Sequence, residues 1–89
     1  MIYTLRFAKP FLKSLKSLDL ATSRRIQQRL QQLAKDPFDP RLSGPVEMAE
    51  GERKSRVGDW RIFYEVNEAP RVIDILAVRP RQQAYKKKR

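Results

Sequence analysis

Arg53-Lys54-Ser55-Arg56-Val57-Gly58-Asp59-Trp60-Arg61-Ile62-Phe63-Tyr64-Glu65-Val66 is the stretch that decides how this chain folds. Gly58-Asp59 lies between two β-prone runs, and a Gly-led pair fits the primed turns whose twist matches antiparallel strands. With that pair as the turn, the register follows. Val57 opposes Trp60, Arg56 opposes Arg61, Ser55 opposes Ile62 and Lys54 opposes Phe63. Val57, Trp60, Ile62, Tyr64 and Val66 then share an apolar face suited to burial, while Lys54, Arg56 and Arg61 share the other with Phe63. Like charges directly opposite one another destabilise a sheet, so a facing Arg56–Arg61 pair implies an anion that both can hold.

Working outward, Ile2 to Phe7 alternates, with Ile2, Thr4 and Arg6 on one side and Tyr3, Leu5 and Phe7 on the other, which predicts a short first strand. Pro10 suits a first helical turn, and Phe11, Leu12, Leu15 and Leu18 recur at helical spacing with Lys9, Lys13 and Lys16 outside. Asp19 can cap a second helix whose buried stripe is Ile26, Leu30 and Leu33, leaving Arg24, Arg25, Gln28, Arg29 and Gln32 exposed. Asp36-Pro37 ends it, because the residue before proline is pushed out of the α region. From Pro37 to Gly51 there is no period, which predicts loop, with at most a turn at Val46-Glu47-Met48.

On the other side of the hairpin, Asn67-Glu68-Ala69-Pro70 reads as a connection to Arg71-Val72-Ile73-Asp74-Ile75-Leu76-Ala77-Val78-Arg79. That run is apolar on both faces, as an interior strand would be. Pro80 ends it, and 82–88 is expected to form a short C-terminal helical turn bearing Tyr85, Lys86, Lys87 and Lys88. Neither an internal repeat nor a dividing linker is present, so residues 1–89 make a single domain. The fold class is α+β in the order β-α-α-β-β-β, with two N-terminal helices packed on one face of a small, largely antiparallel sheet. Phe11, Leu15, Ile26, Leu30 and Leu33 pack under the Trp60 face, and Arg79 can join Lys54, Arg56 and Arg61 on the other.

The chain of 89 residues carries 20 Lys+Arg against 10 Asp+Glu, a formal charge of +10. Such an excess points to a polyanionic partner, either nucleic acid or an acidic protein. With no Cys and no His, disulfides, thiolate nucleophiles, structural zinc sites of the usual kind and histidine acid–base chemistry are excluded. Proton transfer must then use Lys, Arg, Tyr, Asp or Glu. No apolar leader and no run of membrane-spanning length is present, which reads as a soluble, cytoplasmic protein. By itself the cation cluster is as compatible with a solvated sheet face as with a nucleic-acid surface. Phe63 and Tyr85 offer planes on which an unpaired base can stack, although Phe63 reads first as packing under the C-terminal segment.

The order Lys54-x-Arg56-Val57-Gly58-Asp59-Trp60-Arg61-Ile62-x-Tyr64, followed by a β-branched strand closing at Arg79 and then by Tyr85, resembles the RelE branch of the RelE/ParE toxin superfamily. The hairpin core is the superfamily signature, and the interval from Arg79 to Tyr85 favours RelE over ParE. The resemblance implies a ribosome-dependent endoribonuclease that cuts mRNA without metal or other cofactor, inhibits translation, and is held inactive by a cognate acidic antitoxin. It assigns catalytic positions to Lys54, Arg56, Arg61, Arg79 and Tyr85. RNA-binding positions fall at Arg53, Arg81, Lys86, Lys87 and Lys88, and on the helices at Lys13, Lys16, Arg24, Arg25 and Arg29, where ribosomal RNA is the expected partner. Some members carry lysine where this chain has Arg56. A lysine among cations can act as a general base and an arginine cannot readily do so, which leaves Lys54 as the candidate. Two alternatives stay open at this level: a ParE-like, non-enzymatic inhibitor of DNA gyrase, and an inactive member that binds nucleic acid or antitoxin.

Overall fold

The computed structural model describes residues 2–81 of the chain. The elements are β1 (Thr4–Phe7), α1 (Lys9–Lys16), α2 (Leu20–Lys35), β2 (Gly44–Pro45), β3 (Glu52–Val57), β4 (Trp60–Glu68) and β5 (Arg71–Pro80), and the strands form one sheet in the order β1-β5-β4-β3-β2. Only the β1–β5 pairing is parallel, since the chain returns to the sheet through both helices; the remaining pairs are antiparallel. Pro10 lies in the first turn of α1, where its missing N–H costs nothing. Asp19 caps α2 by accepting from the Thr22 amide at 3.1 Å.

The expected register of the hairpin is the observed one, with Val57 opposite Trp60 and Arg56 opposite Arg61. Gly58 supplies the turn with φ 61, a left-handed conformation that a side chain disfavours. Phe11, Ile26 and Leu33 from the helices are fully buried against Ile62, Tyr64, Ile73 and Ile75 from the sheet, with Leu30, Val57 and Val78 beside them. Burying each such large apolar side chain stabilises the fold by about 1.5–3 kcal/mol. Leu15, Trp60 and Val66 pack at the margin of this cluster.

Several boundaries differ from the sequence-based expectation. The loop after α2 contains β2, which pairs Gly44 with Lys54 and Pro45 with Arg53 and so covers the outer edge of β3. β4 extends through Asn67 and Glu68, leaving Ala69-Pro70, joined by a cis peptide bond, as the connection to β5. β1 begins at Thr4 rather than Ile2, because the Tyr3 amide donates to the Ala34 carbonyl at the end of α2 instead of joining the sheet. β5 also carries a bulge. Phe63 faces Ala77 while Tyr64 faces Ile75, so Leu76 is an extra residue in the ladder. The expected C-terminal helical turn at 82–88 lies outside the described residues.

A rung of arginines as the candidate active site

Three neighbouring strands place an arginine on the same rung: Arg56 of β3 faces Arg61 of β4, and Arg61 faces Arg79 of β5. At about 4.8 Å between strands, the three backbones span roughly 10 Å. Lys54, Phe63 and Ala77 form the next rung on this face. Arg56 and Arg79 are exposed, Lys54 and Phe63 are half-buried, and Arg61 is only 8% exposed. The Arg79 guanidinium lies over the Phe63 ring, 5.4 Å from its centroid, a cation–π contact that joins the two rungs. Phe63 is thus engaged with an arginine of the cluster.

The bulge in β5 makes this arrangement possible. Ile73 and Ile75 point into the core, and strict alternation would send Arg79 in after them. The extra residue at Leu76 changes the phase, so Val78 faces the core and Arg79 stands beside Arg61.

Toward the opposite end of the same face the charge reverses. Glu52 faces Glu65, Glu65 faces Asp74, and Asp74 faces Arg6. Arg6 grips Asp74 with Nε on Oδ1 and Nη2 on Oδ2, the latter at 3.0 Å, and the Asn67 amide donates to Oδ2 at 2.9 Å. The Arg6 hydrogen bonds, followed by that of Asn67, hold the Asp74 carboxyl below the usual carboxylate range. A polyanion meeting this surface is attracted to the turn end and repelled by the carboxylates at the other.

The helices steady the hairpin from the core side. A Cβ on Gly58 would sit 2.9 Å from Nη2 of Arg25, so the Arg25 guanidinium lies against the turn. Arg29, expected to be exposed, is half-buried. Its Nη1 donates to Ser55 Oγ at 2.9 Å and to the Arg56 carbonyl, while its Nε donates to Gln32 Oε1 at 3.0 Å. Ser55 is the small inward-facing residue that gives this guanidinium room beneath β3. At the end of β5 the Arg81 amide donates to the Asp59 carbonyl at 2.7 Å, closing the turn from that side.

The cluster therefore brings together Lys54, Arg56, Arg61 and Arg79, with exposed Arg81 adjoining the turn. It does not include Arg53, which faces the helix side, donates to Ser43 Oγ at 2.9 Å and lies 5.0 Å over the Phe38 ring. Lys13, Lys16 and Arg24 are exposed on the helices, which cover the other face of the sheet. Tyr85, Lys86, Lys87 and Lys88 lie outside the described residues. The carboxylate rung and the support from α2 went unread in the sequence. Counting the hairpin register outward from Arg56 and Arg61 reveals the Glu52–Glu65 pair, but nothing local marks Arg29 as turned inward.

The family described as the ParE toxin of the type II toxin-antitoxin system, parDE, matches residues 5–85. The chain belongs to the RelE/ParE toxin superfamily. The superfamily assignment makes it a toxin of a toxin–antitoxin system. Among solved structures it is similar to the archaeal RelE–RelB complex from Pyrococcus horikoshii OT3, at 30% identity over 91% of this chain and 97% of that one, with a TM-score of 0.78. The toxin–antitoxin complex RelBE2 of Mycobacterium tuberculosis gives a TM-score of 0.81 at 23% identity, covering 91% of this chain and 100% of that one. A YoeB/ParE toxin from Agrobacterium tumefaciens gives 0.75 at 15% identity over 86% and 96% of the two chains. The last two show the shared fold. No match is found among curated protein sequences. Among the described residues of this toxin, no helix is long and apolar enough to cross a membrane.

Proposed function

We propose that this toxin is a RelE-like endoribonuclease that cuts mRNA on the ribosome. The observation that carries the reading is the rung of Arg56, Arg61 and Arg79 on three adjacent strands. In the proposed reaction the 2′-hydroxyl of one nucleotide attacks the adjacent phosphorus, the bond to the 5′-oxygen breaks, and a cyclic phosphate and a free 5′-hydroxyl result. Charge builds on the non-bridging oxygens in the transition state, where fixed guanidinium donors stabilise it most. Arg61 and Arg79 take that role, Arg56 binds phosphate, and Lys54 on the next rung accepts the proton of the attacking hydroxyl. Arg79 also neutralises the leaving oxygen; an arginine is a poor proton donor, so its contribution is electrostatic and the 5′-oxygen takes its proton from water. Tyr85 stacks on or orients a base.

The helix-borne cations Lys13, Lys16 and Arg24, on the other side of the sheet from this rung, suit contact with ribosomal RNA phosphates, whereas Arg25 lies against the turn. The partner that restrains the toxin is an acidic antitoxin segment that covers the cationic face. If about 6 to 10 phosphates are contacted, ribosome affinity falls roughly 10³- to 10⁵-fold between 50 and 200 mM salt. The match to a family described as ParE favours one second reading, a non-enzymatic inhibitor of DNA gyrase, which needs the fold but not the arginine rung.

The test is to incubate the purified toxin with programmed ribosomes, map mRNA ends, and compare Arg61→Ala and Arg79→Ala. Cleavage by wild type with a loss of about 10²-fold or more in each variant is expected, the size seen when one transition-state donor is removed. No cleavage by wild type, together with inhibition of gyrase, would establish the second reading instead.

A further inference from the structure

We infer that Arg29 of α2 is a positioning residue for the arginine rung and not an RNA contact; the inference rests on the proposed mRNA cleavage. The guanidinium reaches through the core side of the sheet to the hairpin. One terminal nitrogen bridges the Ser55 hydroxyl at 2.9 Å and the carbonyl of Arg56, and Nε is held by Gln32 at 3.0 Å. The Arg56 carbonyl belongs to the residue that opens the rung, so this bond fixes the backbone from which the Arg56 side chain projects to the other face. Arg25, one turn earlier on the same helix, lies against Gly58 at the tip of the same hairpin. Two arginines of α2 thus hold the segment 55–58 from beneath.

This support answers a specific need. Arg56 and Arg61 are opposed like charges and tend to push β3 and β4 apart at the turn end. β2 reaches only Lys54 and Arg53 on the outer side of β3, so at Arg56 the ladder lacks that brace. A charge-assisted bond to the Arg56 carbonyl supplies the missing restraint, and such bonds are stronger than neutral ones. Arg29 also adds positive charge close beneath the phosphate-binding rung, bonded here to neutral acceptors.

The experiment is a double-mutant cycle on single-turnover mRNA cleavage by programmed ribosomes, using Arg29→Met, Arg56→Ala and the pair, with ribosome affinity measured across salt. Arg29→Met is expected to slow cleavage about 10-fold while leaving ribosome affinity and its salt slope unchanged. In the Arg56→Ala background it should cost less than about 3-fold, because residues that act as one unit are not additive. Unimpaired cleavage by Arg29→Met overturns the inference. So does full additivity, and so does a salt slope lowered by about one, the mark of a lost phosphate contact. If Arg29→Met does not fold, Arg29→Lys replaces it, keeping the charge but not the forked donors; wild-type cleavage by that variant overturns the inference. Absence of cleavage by wild type would instead defeat the mRNA reading on which the inference rests, and the amide exchange of Arg56 and Val57 then decides the structural part. Faster exchange in Arg29→Met supports the positioning role, and unchanged exchange removes it.

Discussion

Arg61 faces Arg56 across β3 and β4 with no residue between them, while its other side faces Arg79. Opposed like charges cost each pair up to about 1 kcal/mol relative to a neutral pair. Arg56 is exposed, so its replacement leaves the core intact. Arg56→Thr, which keeps a β-branched residue in the strand, is expected to preserve or raise stability by up to about 1 kcal/mol while weakening RNA binding. Urea midpoints at low and high salt check this. Salt should stabilise wild type, by screening the rung, more than it stabilises the variant. A variant less stable than wild type at low salt would mean that the rung is not strained.

Tyr64 anchors the segment after α2 to the sheet. Its ring is fully buried, and its hydroxyl donates to the Pro37 carbonyl at 2.8 Å and shares a hydrogen bond with Ser43, which also accepts from Arg53. Tyr64→Phe keeps the ring and strands the buried Pro37 carbonyl. The expected loss is about 1–3 kcal/mol in chemical denaturation, the desolvation cost of an unsatisfied group. mRNA cleavage under conditions where the variant stays folded should be near wild type, since the site lies on the opposite face. A strong loss of cleavage in the folded variant would show that this loop does reach the site.

Much of this architecture is local and therefore legible. The Gly58-Asp59 turn fixes the register of β3 and β4, the helical spacing of Phe11, Ile26, Leu30 and Leu33 fixes the core, and both are observed. What escapes is tertiary. β2 is a pair of residues with no periodicity to betray it, and the inward turn of Arg29 depends on the acceptors that Ser55 and the Arg56 carbonyl offer across the fold. Arg79 is the instructive case. Its strand shows apolar residues on both faces, which correctly indicates an interior position, but simple alternation from Ile73 assigns Arg79 to the core. Its place beside Arg61 depends on the bulge at Leu76, which sequence alone does not mark.

Acid should weaken the β1–β5 pairing in a defined window. The Arg6 hydrogen bonds, with help from Asn67, hold the Asp74 carboxyl below its ordinary value, and the Thr22 side chain, followed by the amides at the start of α2, does the same for Asp19. A carboxyl with a depressed native pKa contributes stability that is fully present above its unfolded value, about 3.9, and is lost as pH falls through the lower native value. Thermal midpoints should therefore be flat from neutral pH to about pH 5 and drop below pH 4. Asp74→Asn should lower stability at neutral pH and flatten the acid limb. The effect is modest because Arg6 is well exposed. A wild-type acid limb in Asp74→Asn would remove this pair from the account.

Lys54 offers the sharpest separation of binding from chemistry. It sits on the rung next to the arginines, opposite Phe63, and is the titratable amine that the strand before the turn contributes to this face. Lys54→Arg keeps the positive charge but replaces an amine that can take up a proton with a guanidinium that stays protonated. If Lys54 is the general base, ribosome affinity should hold within about 2-fold while cleavage falls about 10²-fold or more, the usual contribution of a positioned base. The pH dependence of cleavage should also change form. Lys54→Met should lose affinity as well, since the charge is gone. Cleavage by Lys54→Arg at the wild-type rate would instead locate the acceleration in the in-line placement of the 2′-hydroxyl, which aligned guanidinium groups can supply without accepting any proton.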